Sequence, residues 1–332
     1  MSVPSISRRV LIAALVATPV MSTSVWARPA RHAPSVARRV SVTVAIDRQG
    51  RATPQWIGLI RDRIDADELA GVRMGARAMS SDDAHWIQLV RTVTPQWMKD
   101  AGRLDAPFRQ GTPPASIEVV IGAQGGDDAF ATAPNIIAFD LSALNNAYGM
   151  SDPAGHSALI GRLLSREYTR LRLDTYLDSA GWSAQWAAKS PLLETLRTLY
   201  IQGLCTLRGI EGDPRWTTPD GTPTDEAKKI LAELEPVMVD RLKALAADPS
   251  AKAGDALTRD MMQGPLSRRW GALPIALWLA ADSDFEAGRI SAWIDSNPDG
   301  LLQLAVAQAD LRYQRAFADI QSAVPDKVAK YR

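Results

Sequence analysis

Hydrophobic and polar positions alternate along the first part of the chain. Val40, Val42, Val44 and Ile46 are interleaved with Ser41, Thr43 and Ala45, a period of two that predicts a half-buried strand, and Asp47 to Gly50 supplies the turn that ends it. Two short apolar runs, 117–121 and 136–139, are rich in β-branched residues. Breakers bound both: Pro113-Pro114 and Gly122 for the first, Pro134-Asn135 for the second. Between them lies Gly122-Ala-Gln-Gly-Gly-Asp-Asp128. A Gly-rich loop cradles phosphate when a strand precedes it and a helix opens directly after it; here Pro134 and another strand follow, which makes it an inter-strand turn.

The period changes elsewhere. From Ser81 to about Val93 an apolar face of Trp86, Leu89, Val90 and Val93 predicts a helix, and Thr94-Pro95 restarts one as N-cap and first-turn proline. After about residue 150 the pattern is helical, over 153–177, 191–207, 225–247 (with Pro236 as a kink), 273–281, 284–294 and from 299 onward. A loop separates the second and third of these over 209–224. The class is therefore α+β, a small N-terminal sheet followed by a predominantly helical part, in one domain over 40–322 with a loose tail over 323–332.

The N-terminus has a different character. Arg8 and Arg9, the apolar run from Val10 to Val20, and the small residues Val25 and Ala27 before Arg28 form a three-part signal peptide over 1–27. An uncleaved anchor is the other reading of this segment, but the run is shorter than the roughly 20 apolar residues a bilayer requires. Ser7-Arg8-Arg9-Val10-Leu11-Ile12 also resembles a twin-arginine motif, with Leu11 and Ala13 where its usual Phe and Lys stand, so Sec and twin-arginine export both remain open. The expected location is periplasmic or secreted, with no integral membrane segment after cleavage. Residues 28–39, basic and rich in Pro and Ala, form a disordered lead-in.

Removing those 27 residues from 332 leaves 305, enough for one large domain or two small ones. The signal holds two arginines and no acid, so the formal charge of +1 becomes −1. A near-neutral chain without a basic tract gives no support for a nucleic-acid partner. Cys205 is the single cysteine, which excludes an internal disulfide, and its apolar neighbours indicate a buried, inert thiol.

One helix carries the functional argument. With Ile160 at zero and 100° per residue, Ile160, Leu164, Tyr168 and Leu171 fall within 80° of one another, and Leu159 and Leu163 widen the apolar arc. Gly161, Arg162, Ser165, Thr169 and Arg172 occupy the polar sector. Glu167 and Arg170 land inside the apolar arc, and Arg166 lies on its edge. A carboxylate stranded among aliphatic side chains costs several kcal/mol unless it is paired. Arg170, three residues on, is within reach. A partly buried polar cluster follows, and an ion pair that only orients two helices accounts for it equally well.

Ile136-Ile-Ala-Phe-Asp-Leu-Ser-Ala-Leu144, Tyr148-Gly149 and Leu163-Leu-Ser-Arg-Glu-Tyr-Thr-Arg-Leu171 together resemble secreted zinc peptidases of the zincin type with an HEYTH core. Tyr200-Ile-Gln-Gly-Leu-Cys205 resembles that family's E-G-L helix, and Arg269-Trp-Gly-Ala-Leu-Pro-Ile-Ala-Leu-Trp-Leu279 another shared block, so the likeness spans roughly 85–305. It implies a metallopeptidase-like fold in which an H-E-x-x-H helix places two imidazoles on zinc and a glutamate beside the bound water. The chain departs at each ligand. Arg166 and Arg170 stand at the histidine positions and Gln202 at the third-ligand glutamate, while Glu167 alone survives as a vestige of the catalytic residue. Guanidinium groups offer no lone pair and repel a cation. The resemblance therefore implies a pseudopeptidase with no metal and no cofactor, acting as a periplasmic binding or interaction protein for a protein or peptide partner.

Two other readings stay open. An active hydrolase would need Glu167 to converge with His85 or His156, yet His156 lies about 16 Å up the helix at 1.5 Å per residue. A structural envelope protein would show no cleft around Glu167. His32 falls in the lead-in, no G-x-S-x-G elbow is present, and Asp82-Asp83 and Asp127-Asp128 fit helix-start and loop positions.

Overall fold

The computed structural model describes residues 38–109, 111–150, 153–179, 191–248, 250–261, 266, 269–281, 287–295 and 297–323. The signal segment, most of the lead-in, the predicted helix start at 284–286 and all but the first residue of the tail lie outside these residues.

The alternating stretch forms β1 (Arg39–Val44), and the two β-branched runs form β2 (Ser116–Gly122) and β4 (Ile136–Asp140). A further strand, β3 (Ala129–Thr132), forms from Ala-Phe-Ala-Thr, which carries little β-branched signal, so the period alone does not reveal it. The order is β1-β2-β4-β3, with β1 and β4 parallel to β2 and β3 antiparallel on the edge. Strand 1 begins one residue before the predicted alternation. Arg38, placed in the lead-in by composition, is bound into the fold by an ion pair with Asp105 and a hydrogen bond to the Tyr168 hydroxyl.

Side chains alternate between the two faces of the sheet, as the strand period requires. Val120, Phe130 and Ala138 pack against Trp56, Ile60 and Val72 from α1 (Pro54–Ile60) and α2 (Ala66–Met74). These helices are only seven and nine residues long, too short to display a sustained apolar period, and they escape the sequence reading. Their caps are nevertheless explicit: Thr53 with Pro54 at the first turn, and a capping box between Asp65 and Glu68. Ile117, Val119, Ile121, Ile137 and Phe139 face the other way, onto α3 (Ser81–Asp100) and α6 (Pro153–Ser179). Helix 3 does not restart at Thr94-Pro95. Proline removes one N–H from the ladder, but Trp97, Met98 and Thr94 are buried along with Trp86 and Val90, and this packing carries the helix through.

The short helices α4 (Gly102–Asp105) and α5 (Leu141–Tyr148) complete the sheet half. The helical half follows as α7 (Pro191–Ile210), α8 (Asp225–Ala247), α9 (Ala251–Asp260), α10 (Ala272–Ala281), α11 (Ala287–Asp295), α12 (Asn297–Gln308) and α13 (Leu311–Ala323). The expected α+β class is thus present, with a four-stranded sheet and a helical majority. Helix 7 packs closely on α10, where a Cβ at Gly203 would fall 2.3 Å from Ile275. No helix among the described residues is long and apolar enough to cross a membrane.

Helix 6 joins the two halves, with Ile160, Leu164 and Tyr168 in the core under the sheet and Leu173, Tyr176 and Leu177 in the helical core. Being flanked on both sides, it buries even its polar sector. Ser165 accepts from the Trp97 indole, and Arg172, 1% exposed, pairs with Asp105. A wheel drawn from one helix cannot anticipate this, because the burial comes from a second layer distant in sequence.

Candidate functional site

A cleft of about 1480 Å³ opens between the sheet half and α7. Glu167, Arg166, Arg170 and Gln202 all line it, together with Asp128, Tyr148, Arg162 and Asp213. The motif helix α6 and the helix carrying Gln202 thus present their four positions to one space.

Glu167 is 2% exposed and held from both sides. Arg166 Nε donates to its Oε1 at 2.5 Å, and Arg170 Nε stands 3.4 Å from Oε2 as an ion pair without a good hydrogen bond. Arg170 is the partner that helix spacing offers, and Glu167 pairs with Arg166 as well. Arg166 reaches further, donating through Nη2 to Asp128 Oδ1 at 2.7 Å and to the Ala129 carbonyl at 2.8 Å. Tyr148 donates to the other Asp128 oxygen at 2.6 Å. Asp128 is not the self-sufficient loop acid that its sequence position suggests; it anchors Arg166. No local pattern links residues 38 apart in the chain. Arg162 was findable, since it lies one helical i,i+4 step before Arg166.

Burial by itself pushes the Asp128 carboxyl up, but the Arg166 charge and hydrogen bond, with the Tyr148 hydroxyl, outweigh it and hold the group at about 2 against 3.8. A carboxylate depressed in this way stabilises the fold above pH 3.8 and loses that contribution as pH falls toward 2. Between pH 4 and 2 the wild-type protein should therefore lose about 2 kcal/mol more stability than Asp128→Asn, at 1.36 kcal/mol per pKa unit. Urea unfolding of both proteins across that range checks this, and parallel pH profiles would count against it.

The loop over 122–128 has no phosphate cradle to offer. Its backbone N–H groups at Gln124, Gly125 and Gly126 all donate to Asp140, the N-cap of α5. Burial pushes the Cys205 thiol up to about 12, so it stays protonated at neutral pH, consistent with an inert thiol. His85 and His156 meet each other, Nε2 to Nδ1 at 3.2 Å, and His156 stacks on Trp86. Neither lines the cleft, so the histidine that a Glu167-based hydrolase would need is not brought to it.

Zinc, the metal that the resemblance implies, does not fit this donor set. Arg166 and Arg170 bring fixed positive charge in place of lone pairs. Among the described residues, no three His, Cys, Asp or Glu side chains are grouped so as to hold a metal ion. Compared with known proteins, the chain matches no family model, no curated protein and no solved structure.

Proposed function

We propose that the chain is an exported, catalytically inactive relative of zincin-type metallopeptidases that serves as a periplasmic binding protein for a protein or peptide partner. One observation carries the reading: residues 166, 167, 170 and 202, scattered over two helices, line a single cleft, with guanidinium groups where imidazole donors would sit. A helix bearing H-E-x-x-H places its two imidazoles four residues apart on one face, and Arg166 and Arg170 hold that spacing with Glu167 between them. Two guanidiniums supply the positive charge beside Glu167 that a metal would otherwise provide.

The test is metal analysis and peptidase assay of the purified protein alongside the variant Arg166→His/Arg170→His/Gln202→Glu. The unmodified protein should carry no stoichiometric zinc and cleave no peptide, while the triple variant should bind one zinc ion. Zinc held one per molecule by the unmodified chain would end the proposal. A triple variant that folds but stays metal-free would count against the zincin-like arrangement.

A further inference from the structure

The wall formed by α6 carries more cations than anions. Arg162, Arg166 and Arg170 recur every four residues, so their Cα atoms climb the helix in steps of about 6 Å and all three line the cleft. Arg162 donates through Nη2 to Asp213 Oδ2 at 3.1 Å. The same carboxylate is already held by Arg215, through Nε at 3.1 Å and Nη2 at 2.8 Å. Glu167 is shared in the same manner by Arg166 and Arg170. Four permanently charged guanidiniums thus meet three carboxylates, Asp128, Glu167 and Asp213, on this wall.

Over the whole lining six arginines face six acids, so the excess is local to this wall, and the other acids are engaged elsewhere. Asp127 is paired with Arg63, Asp140 accepts only backbone N–H groups, and Glu68 closes the capping box of α2. The ion pair of Arg170 among the described residues is its 3.4 Å contact with Glu167, and the Asp174 charge one turn on also acts on it. The Arg170 side chain is 26% exposed and the Arg162 side chain 16%, and both line the cleft.

We propose that this cleft binds an organic carboxylate, with its acid groups seated along Arg162, Arg166, Arg170 and Arg215. The assignment deepens the binding reading above and rests on it. A guanidinium fork matches a carboxylate in two parallel hydrogen bonds, and Arg215 already holds Asp213 in that way. Leu159, Leu163, Trp216 and Leu266 also line the space, and they offer apolar contact to a carbon skeleton that an inorganic anion lacks. The repeat along the helix suits a ligand with two or more acid groups. Such a ligand is either a small free dicarboxylate or a stretch of acidic polypeptide.

Isothermal titration of the purified protein tests this with adipate and pentaglutamate as probes, and with the uncharged adipamide and pentalysine as controls. Adipate, pentaglutamate or both should bind, more weakly at higher salt, and adipamide should not. Arg215→Gln, at a side chain that is 68% exposed, and Arg170→Lys, which keeps the charge but loses the fork, should each weaken binding tenfold or more. Circular dichroism confirms that both variants remain folded. Binding of adipate alone names a small free acid, and binding of pentaglutamate alone names an acidic polypeptide. The assignment is overturned if neither acid binds at millimolar concentration, if adipamide binds equally well, or if both variants keep full affinity. A neutral or basic peptide whose affinity responds to Trp216→Ala but not to the arginine variants would sink the carboxylate and leave the binding reading standing. Zinc on the unmodified protein would sink the binding reading itself.

Discussion

Asp140→Ala should cost the protein about 4 kcal/mol or more, because one carboxylate serves two structures at once. Asp140 accepts from Ser142 and Ala143 as the N-cap of α5, and from Gln124, Gly125 and Gly126 in the turn after β2. Loss of a cap is worth about 1 kcal/mol, and hydrogen bonds to a charged acceptor contribute about 1.5–3 kcal/mol each, with losses that do not simply add. The turn cannot satisfy itself. Gln124 sits at φ 62° and Gly126 at φ 94°, a backbone shape that points successive N–H groups inward, and water has little access to Gly125. Asp140→Ser separates the two roles, since serine caps α5 but falls short of the turn. Asp140→Ser should recover about 1 kcal/mol relative to Asp140→Ala and leave the larger part of the loss in place. Denaturant unfolding of the three proteins measures this. A serine variant as stable as wild type would show that the turn does not depend on the carboxylate. Because the same turn delivers Asp128 to Arg166, the alanine variant should also loosen one wall of the cleft.

How far the sequence discloses this arrangement depends on whether the signal is local. The strands around Val119 and Ile137 are legible because burial on both sheet faces selects β-branched runs, and α8 is legible because Thr224 caps it and its apolar period is unbroken. The position of Glu167 inside the apolar arc is a local angular fact, and it correctly foretells a buried, paired carboxylate. What fails is anything set by a distant layer. The edge strand β3 exists because β4 offers it a ladder, α3 passes through Pro95 because the sheet packs along it, and Arg172 is buried because α4 brings Asp105 to it. Asp128 and Asp213 belong to the cleft only after folding, so single-helix geometry finds the arginines but not the acids that hold them.

Glu167 sets up the second large effect, one that separates a structural role from a catalytic one. Glu167→Leu should destabilise the protein by about 3 kcal/mol, because removing one partner of a buried pair leaves uncompensated charge behind. The cost stays near the lower end of the usual range, since Arg166 keeps Asp128 and the Ala129 carbonyl while Arg170 loses its only ion-pair contact among the described residues. Arg170→Met alone strands less, because Glu167 retains the Arg166 bond. Combining Glu167→Leu with Arg170→Met removes both members of the pair and so leaves no Arg170 charge without its partner, which should regain most of the lost stability, as replacement of a buried ion pair by packed apolar side chains often does. The two changes should therefore be far from additive in urea unfolding, with a coupling of about 2 kcal/mol for residues in direct contact. Additive costs would mean that Arg170 is not what holds the Glu167 charge. A site kept for chemistry would lose activity with Glu167 whatever the partner substitution did for stability. A site kept for binding should follow the arginines, and the double variant tells the two apart because it restores the fold while removing one guanidinium from the row.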